Sequence, residues 1–355
     1  MRALYFSEHG ETGGLVCGEQ PEPRPAAGEV LVRVVAAGLN HLDLFVLRGL
    51  PGITVPLPHI GGADGAGVVA AVGDGVAGWK TGDEVVLNPG LWCGACEYCG
   101  RGEESLCLRF RLLGEHVNGT FAEFVSVPAV SLAPRPAHLG WDESAAFGLT
   151  WLTAWRMLVV RAALKPGETV LIHGIGGGVA LAALAIAKQA GATVFVTSSR
   201  PEKLERALRM GADQAIDYTS RDVAAEVRRL TGRRGVDVVV ETVGRDTWMA
   251  SLRCAAKGGR IVTCGATSGQ DPAEEIRLIF WNQLTILGST MGSRRDWASM
   301  MGAIASAGAR PVVDGVLPLA RGREAYERMA AGEQFGKIVL DVAGVAGASS
   351  KSVGA

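Results

Sequence analysis

The first part of the chain alternates apolar and polar positions in short runs that glycine and proline interrupt. Valine-rich runs at 30–35, 67–72 and 84–87 are typical of β-strands. From about Trp151 the pattern changes, and short apolar runs alternate with longer segments of helical character. The sequence therefore predicts a β-rich region followed by an α/β region.

The α/β region has the pattern of a βαβ series. A strand at 168–173 runs into a glycine-rich loop, and an alanine-rich helix is predicted at 179–189. The next strand, at 193–196, precedes a helix that begins at Pro201 and ends near Gly211. Four more strands are predicted at 215–217, 236–240, 260–263 and 284–287. Such a series predicts a doubly wound parallel sheet, and the fold class is therefore α/β.

Length and composition limit the classes of function. A chain of 355 residues suggests two domains, and a hydrophobic fraction of 48% can fill two cores. A net charge of −1 excludes the basic field that draws a protein to nucleic acid or to an anionic membrane. The longest apolar run, 179–187, is too short for a membrane helix, and residues 1–7 resemble a strand rather than a secretory signal. We expect a soluble, cytoplasmic protein.

Four of the seven cysteines lie in one short segment with the spacing C-x2-C-x2-C-x7-C. Four thiolates at this spacing can close a tetrahedral shell around Zn²⁺ on one loop. Clustered cysteines without a secretory signal favour a metal over disulfides, so one structural zinc is predicted, with a reduced, metal-free lobe as the alternative. The predicted ligands are Cys93, Cys96, Cys99 and Cys107, whereas Cys17, Cys254 and Cys264 are predicted to be buried free thiols.

The glycine-rich loop reads His-Gly-Ile-Gly-Gly-Gly-Val-Ala and leads into a predicted helix. Glycines let the backbone approach a pyrophosphate, and the helix N-terminus offers free N–H groups and the positive end of its dipole. The position between a strand and a helix favours dinucleotide binding over a turn without a ligand. The predicted contacts are Gly174, Gly177, Gly178, Val179 and Ala180.

The end of the strand at 193–196 bears on the choice between NAD and NADP. An acid there would bind the ribose hydroxyls and repel a 2′-phosphate, but the chain has Ser198, Ser199 and Arg200, followed by Lys203. Hydroxyls and cations suit a phosphate, so NADPH is the predicted cofactor. The alternative is that Arg200 and Lys203 only begin a solvated helix.

These features together resemble the medium-chain dehydrogenase/reductase superfamily, which includes the zinc-type alcohol dehydrogenases and the quinone oxidoreductases. The resemblance is carried by segments 38–43, 61–67, 80–85, 119–124 and 152–155, with the cysteine lobe and the glycine loop. It implies a GroES-like β-rich catalytic domain, split between 1–151 and 292–342, around a Rossmann NADP-binding domain at 152–291. It also implies an active site in the cleft between the domains. The tail, 343–355, is expected to be disordered.

The resemblance also shows what the chain has lost. Where related enzymes carry ligands of a catalytic zinc, this chain has Asn40, Ala63 and Leu149, none of which is a credible ligand. Leu42 stands where a proton-relaying hydroxyl is expected, whereas Asp43 is retained. The catalytic candidates are Asn40, as a hydrogen-bond donor to a developing enolate, and Asp43, as a residue that holds the loop or a substrate hydrogen bond.

Without a Lewis acid, reduction of a conjugated system is easier than reduction of a simple ketone. The predicted function is therefore NADPH-dependent reduction of activated C=C bonds or quinones, with a small hydrophobic substrate. One alternative is a zinc-dependent alcohol dehydrogenase with a site rebuilt from His59, Asp64, Glu115 and His116. A second alternative is a non-catalytic NADPH-binding protein. No proton donor is evident.

The remaining cofactor contacts are implied by positions that match the family. His41 would meet the pyrophosphate, Thr153 the nicotinamide and Tyr218 the adenosine. Gly244 and Ala266 would line the nicotinamide half, and Lys337 would bring a cation towards the cofactor. The family also implies a homodimer or homotetramer assembled through residues 284–288.

Overall fold

The computed structural model describes residues 1–50 and 52–344, so nearly all of the tail predicted at 343–355 lies outside the described residues. The chain divides into two compact units. One unit is Met1–Leu149 with the chain from Ser293 onward, and the other is Thr150–Gly292. Among the described residues, no helix combines the length and the apolar character needed to cross a membrane.

The first segment of the chain is mainly β-structure, with short helices between the strands. Its strands are β1 Arg2–Phe6, β2 Val16–Glu19, β3 Glu29–Gly38, β4 His59–Ile60, β5 Asp64–Val72, β6 Glu84–Leu87, β7 Gly90–Leu91, β8 Arg111–Leu112, β9 Phe124–Pro128 and β10 Leu132–Pro134. Its helices are α1 His41–Arg48, α2 Glu97–Gly100, α3 Trp141–Ser144 and α4 Gly148–Trp155. Short 3-10 turns lie at Thr12–Gly14, Glu104–Leu106 and Ala129–Ser131.

The middle segment alternates strands and helices after a π-helical turn at Arg156–Arg161. Its elements are β11 Thr169–Ile172, α5 Gly178–Gln189, β12 Thr193–Ser198, α6 Pro201–Arg209, β13 Gln214–Asp217, α7 Val223–Leu230, β14 Val236–Glu241, α8 Trp248–Cys254, β15 Ala255–Thr263, α9 Ile276–Asn282 and β16 Thr285–Gly288. The last segment has α10 Arg294–Ala307, β17 Val313–Pro318, a 3-10 turn at Leu319–Arg321, α11 Gly322–Ala330 and β18 Lys337–Asp341.

The unit formed by the two ends of the chain is built on a sheet that has seven strands in the described residues. Its strands lie in the order β10-β6-β5-β3-β18-β17, and β9 also pairs with β3. A smaller sheet, β2-β1-β4, packs beside a core that includes Phe6, Phe121 and Tyr326. Strand β3 is apolar at almost every position because it is buried in the middle of the larger sheet. The predicted GroES-like β-rich domain is confirmed.

Strands β5 and β18, which pair with β3 on its two sides, both reach the C-terminal end of β3. In the pairing of β3 with β5, Gly38 lies opposite Asp64, and in the pairing of β3 with β18, Gly38 lies opposite Val339. The backbone N–H of Leu39 donates to the carbonyl oxygen of Ile338. These pairings bring Lys337, the first residue of β18, next to Asn40, which follows β3. A residue close to the C-terminus is thereby fixed beside one near the N-terminus.

The middle unit has a six-stranded sheet in the order β13-β12-β11-β14-β15-β16, with every pair parallel. This is the order of the doubly wound dinucleotide-binding fold, and the predicted Rossmann domain is confirmed. The predicted helix at 179–189 is α5, and Pro201 begins α6 as expected. The carboxyl ends of β11, β12 and β14 lie at one edge, where such folds bind their ligands.

Candidate active site

A buried charged cluster lies where the strand ends of β3, β5 and β18 meet. The Lys337 ammonium is 2.5 Å from Oδ1 of Asn40 and 2.8 Å from Oδ2 of Asp64. The Asn40 amide nitrogen lies 3.0 Å from the same carboxylate oxygen. Lys337 and Asn40 are each only 4% exposed, and Asp64 is fully buried. The three side chains therefore form a closed triangle in which one cation meets one anion.

The amide of Asn40 can take only one orientation in this triangle. An ammonium only donates and a carboxylate only accepts, so Oδ1 must face Lys337 and Nδ2 must face Asp64. The amide nitrogen also lies 3.4 Å from the carbonyl oxygen of Gly38. Both amide protons thus have an acceptor. The role of Asn40 as a donor to substrate stays a prediction, and it requires one of these bonds to open.

The second oxygen of Asp64 binds backbone. Its Oδ1 accepts from the N–H of Leu149 at 2.5 Å, and Gly148 makes room for it, because a Cβ at that position would lie 2.7 Å from this oxygen. Two of the three positions that the resemblance assigns to zinc ligands, Asn40 and Leu149, therefore meet at Asp64, the residue that follows the third position, Ala63. Asn40 supplies an amide, Asp64 a carboxylate already paired with an ammonium, and Leu149 a backbone N–H, whereas the Ala63 side chain has no donor atom.

These residues do not fit a catalytic zinc. Zinc takes ligands that offer a lone pair, usually thiolate, imidazole or carboxylate. Here a cationic side chain contacts the one carboxylate, and a backbone N–H donates to it as well. That the chain lacks the usual catalytic zinc stays a prediction, which this donor set supports.

Asp43 lies close to the cluster and holds two backbone groups. Its carboxylate accepts from the N–H of Asn40 at 2.7 Å and from the N–H of Gly62 at 2.9 Å. Burial and, to a smaller extent, the neighbouring Asp64 raise the pKa of Asp43 to about 7, against the lowering effect of these N–H donors and of Lys337. Asp43 therefore fixes the start of α1 and couples it electrostatically to the cluster.

The rival zinc site is not assembled in the structure. His59 points its Nε2 at the carbonyl oxygen of Gly114, at 3.0 Å. His116 receives the N–H of Leu112 and lies 3.5 Å from Glu115. Across residues 1–50 and 52–344, the one group of three or more His, Cys, Asp or Glu side chains with metal-binding proximity is the cysteine cluster.

The four clustered cysteines do fit a structural zinc. The Sγ atoms of Cys93, Cys96, Cys99 and Cys107 all lie within 4.8 Å of one another. Backbone N–H groups of Ala95 and Cys96 lower the pKa of Cys93 to about 5, whereas burial and the neighbouring thiols raise the pKa of Cys99 to about 12. Four thiolates this close require a cation to offset their repulsion. These residues would hold Zn²⁺ as a closed shell that stabilises the lobe.

The glycine loop has the geometry expected for a phosphate site. Gly174 has φ +66°, and Gly177 caps α5, so the first N–H groups of the helix have no acceptor within it. A Cβ at Gly177 would meet only the carbonyl oxygen of Gly174, at 3.8 Å. Packing within the protein therefore does not require glycine here. Close approach of a ligand to the backbone explains it better, so the loop fits a dinucleotide pyrophosphate, with Gly178, Val179 and Ala180 in the first turn.

The end of β12 leaves Ser199 and Arg200 accessible, whereas Ser198 is buried. Ser198 is the last residue of the strand, and its Oγ accepts from the N–H of Arg200 at 3.2 Å. Ser199 is exposed, and the Arg200 side chain is 46% exposed, 4.0 Å from Glu202. Tyr218 is also exposed, and its N–H donates to the carbonyl oxygen of Ser198. Arg200 follows β12 and Tyr218 follows β13, and the structure thus brings both to the same edge of the sheet. Lys203 follows in the first turn of α6.

A buried polar network that the sequence pattern does not reveal contacts the glycine loop and the loop that follows β14. Glu241, the last residue of β14, is fully buried and accepts from Ser251, Thr247 and the N–H groups of Val243 and Gly244. His173 joins Ser251 to Thr197, which in turn accepts from the N–H of Gly174. The sequence signal that could have revealed this network is Glu241 itself, an acid at the end of an apolar strand. The network ties both loops to the sheet.

Gly244, Thr153 and His41 are further residues that the family resemblance assigns to cofactor binding. Gly244, with φ +91°, lies against Ala266, because a Cβ at Gly244 would be 2.9 Å from its Cα. The Thr153 hydroxyl lies 3.7 Å from the Met291 sulfur. His41 is exposed at the start of α1. Their cofactor contacts stay predictions, as does that of Lys337, whose ammonium binds Asn40 and Asp64 instead.

Comparison with known proteins identifies the class. A family model described as alcohol dehydrogenase GroES-like domain matches residues 26–137, and one described as zinc-binding dehydrogenase matches 178–306. An NAD-dependent alcohol dehydrogenase of Sulfurisphaera tokodaii is 33% identical over 349 residues, which cover 96% of this chain and 99% of that protein. The chain belongs to the medium-chain dehydrogenase/reductase superfamily, and it is an oxidoreductase.

Two further relatives show the range of this similarity. A solved structure of an NAD-dependent alcohol dehydrogenase has a TM-score of 0.93 and 45% identity, covering 96% of this chain and 100% of that one. A crotonyl-CoA reductase of Streptomyces collinus is 34% identical over 318 residues, which cover 78% of this chain and 70% of that protein. Relatives named as alcohol dehydrogenases and as crotonyl-CoA reductases are thus both similar to the chain.

Proposed function

We propose that this protein is an NADPH-dependent reductase of activated C=C bonds, such as those of enones and quinones, with one structural zinc and no catalytic zinc. The observation that carries the proposal is the pairing of Lys337 with Asp64 beside Asn40. The pair contacts Asn40 and the Leu149 N–H, two of the positions to which the family resemblance assigns zinc ligands. A reductase with such a site must work without a Lewis-acid metal.

Conjugate reduction suits a site of this kind. Hydride supplied by NADPH adds to carbon, and the negative charge spreads through the conjugated system to an oxygen. Hydrogen-bond donors in a site closed to water can stabilise that oxygen. The similarity to a crotonyl-CoA reductase, which is named for a conjugated substrate, supports this class of reaction. The apolar character of the segment 50–55, which the family resemblance assigns to the substrate pocket, favours a small hydrophobic substrate.

The preference for NADPH is supported by the end of β12. Ser198 and Ser199 replace the acid that would select NAD, and Arg200 is accessible beside them. We expect Arg200→Ala to lower kcat/KM for NADPH by about 10-fold or more and to leave that for NADH nearly unchanged, because only NADPH carries the 2′-phosphate. Arg209→Ala, which removes an exposed arginine from the far end of α6, is the control. Equal losses for both coenzymes would contradict this assignment.

A second candidate is alcohol oxidation, which the names of the alcohol dehydrogenase relatives favour. One set of assays distinguishes the reductase from the alcohol dehydrogenase. NADPH oxidation is followed with quinones, enones and aldehydes, and alcohol oxidation with NAD⁺ and NADP⁺, each with and without a chelator, alongside a metal analysis. One zinc per chain and chelator-resistant reduction of enones or quinones support the proposal. Two zincs per chain and chelator-sensitive alcohol oxidation refute it, and tight NADPH binding without turnover indicates a non-catalytic protein.

A further inference from the structure

We propose that the Lys337 ammonium serves as the cation of the active site, donating a hydrogen bond to the substrate oxygen that becomes negatively charged during reduction. This inference rests on the proposed function and names a group that its chemistry requires. It also replaces the role predicted for Lys337 from the family, a contact with the cofactor.

One of the three N–H groups of the Lys337 ammonium has no acceptor among the described residues. An ammonium carries three N–H groups, and in the part of the chain that the structure describes, one is used by Asn40 and one by Asp64. A third N–H in a side chain that is only 4% exposed gains a partner when an acceptor arrives. Asn40, by contrast, has acceptors for both of its amide protons. The available donor in the cluster is therefore the lysine.

The cluster also fixes the position of the charge. Lysine is a flexible side chain, but its two short contacts and the pairing of β18 with β3 restrict Lys337 to one place. A donor that is already oriented costs little reorganisation when charge develops on a substrate. Asp64 balances the ammonium in the resting site, and its other oxygen is held by the Leu149 N–H. The chain thus supplies from its own sequence the positive charge that a metal supplies in zinc-dependent enzymes.

The test compares Lys337→Met with the wild-type enzyme. A variant without the ammonium should lose about 100- to 1,000-fold in kcat for the best conjugated substrate, the range seen when one oxyanion donor is removed. Its Kd for NADPH, measured by nucleotide fluorescence, should change less than about 3-fold, which is under 1 kcal/mol of binding free energy. Methylammonium added to the assay should restore part of kcat in the variant and have no effect on the wild type. Lys80→Met, which removes an exposed lysine 3.9 Å from Asp83, is the matched control and should behave as wild type.

A folding defect is separated from a catalytic one by a second variant. Lys337→Met leaves Asp64 buried without its cation, whereas the double variant Lys337→Met with Asp64→Asn removes both charges. We expect the double variant to fold and bind NADPH, and still to lack turnover. An unchanged kcat in either variant overturns the inference. A large loss of NADPH affinity with kcat preserved also overturns it, and supports the cofactor contact instead.

Different results would refute the role of Lys337 and the proposed reduction of enones and quinones. If the wild type reduces no enone or quinone but acts on aldehydes or alcohols, the proposed function is wrong, and the same variants test Lys337 on the carbonyl oxygen of that reaction. If the wild type holds a second zinc and loses its activity with it, a metal supplies the charge and the inference is wrong. Absence of turnover on every substrate overturns both.

Discussion

The Nζ atom of Lys337 lies 2.8 Å from Oδ2 of Asp64, although 273 residues separate them in the chain. Both side chains are buried, with 4% and 0% of their surface exposed. Removing two charges from water is costly, and their attraction offsets this only when the remaining donors and acceptors are satisfied. Asn40 and the Leu149 N–H provide three such further contacts. The stability of the ion pair therefore depends on the contacts that Asn40 and the Leu149 N–H make with it.

The first prediction concerns the stability of this pair. Lys337→Met should lower the free energy of unfolding by about 3–5 kcal/mol, because it leaves a buried carboxylate without a partner. The double variant with Asp64→Asn should recover most of that loss, since no charge remains to be desolvated. Denaturant unfolding of the wild type, the single variants and the double variant gives the coupling between the two positions. Additive losses would show that the two charges do not interact.

The second prediction concerns Asp43 and pH. Burial raises its folded pKa from the ordinary 3.8 to about 7, so the folded state keeps a proton that the unfolded chain releases near pH 4. Stability from this group is complete below about pH 4 and is lost as the pH rises through about 7. The loss is on the order of 4 kcal/mol, at about 1.4 kcal/mol for each pKa unit.

Asp43→Asn isolates this contribution because an amide does not titrate in this range. The difference in unfolding free energy between wild type and variant, measured from about pH 5 to 8 by urea unfolding, should shift steadily against the wild type as the pH rises. The variant keeps one acceptor for the N–H groups of Asn40 and Gly62 and so loses stability at low pH. A difference that does not change with pH would contradict the raised pKa.

The parts of the molecule that could be predicted from sequence are those whose residues are close together in the chain. The cysteine lobe spans 93–107, and the glycine loop lies between β11 and α5, so spacing alone indicated a metal shell and a phosphate loop. The six parallel strands followed from apolar periodicity for the same reason. In these regions the residues that form each site are neighbours in the sequence, so a local pattern was enough to predict them.

The charged cluster could not be predicted in this way. Asn40, Asp64 and Lys337 meet because β5 and β18 pair on opposite sides of β3, and no short motif encodes that pairing. The family resemblance marks Leu149 as a lost ligand, whereas the structure uses its backbone N–H, which every residue except proline has. The Glu241 network was missed for a similar reason, since its partners lie on separate elements.

The third prediction concerns the structural zinc. The purified protein should contain one zinc per chain, and Cys96→Ser should lose it, because three thiolates and a hydroxyl bind zinc far more weakly. Loss of the metal should lower Tm and expose the segment 93–107 to proteolysis, while the Rossmann sheet keeps its NADPH affinity. Metal analysis and limited proteolysis test this. Cys17→Ser is the control, since Cys17 lies outside the cluster and is exposed, so the prediction that this thiol is buried is wrong. Equal zinc loss in both variants would argue against a site made of the four clustered cysteines.

The fourth prediction separates cofactor binding from folding at the glycine loop. Gly177 has φ −75°, which alanine adopts freely, and a Cβ there meets only one atom, at 3.8 Å. Gly177→Ala should therefore change stability by no more than about 1 kcal/mol. Its methyl group would occupy the space above the backbone, so the Kd for NADPH should rise about 10-fold or more. Gly302→Ala in α10, where a Cβ meets nothing within 4 Å, should leave the Kd unchanged; an unchanged Kd in both would place the pyrophosphate elsewhere.

The fifth prediction concerns assembly through the edge of the Rossmann sheet. Strand β16 is the edge strand of that sheet, and helix α9 just before it exposes Ile276, Phe280 and Trp281 by 66%, 62% and 72%. An unpaired strand edge beside exposed apolar side chains favours association with a second copy of the chain. We expect a homodimer or homotetramer, as the family resemblance implies.

A charge placed in this patch should break the assembly. Phe280→Asp with Trp281→Asp should shift the mass measured by light scattering towards the monomer, because two carboxylates would lose their water in the interface. Val130→Asp, which alters an exposed apolar residue of the other unit, should leave the mass unchanged. The candidate active-site cluster lies entirely outside the Rossmann unit, so the dissociated variant should keep the buried Lys337–Asp64 pair and its effect on unfolding. A wild-type monomer, or a double variant that stays assembled, would exclude this edge as the interface.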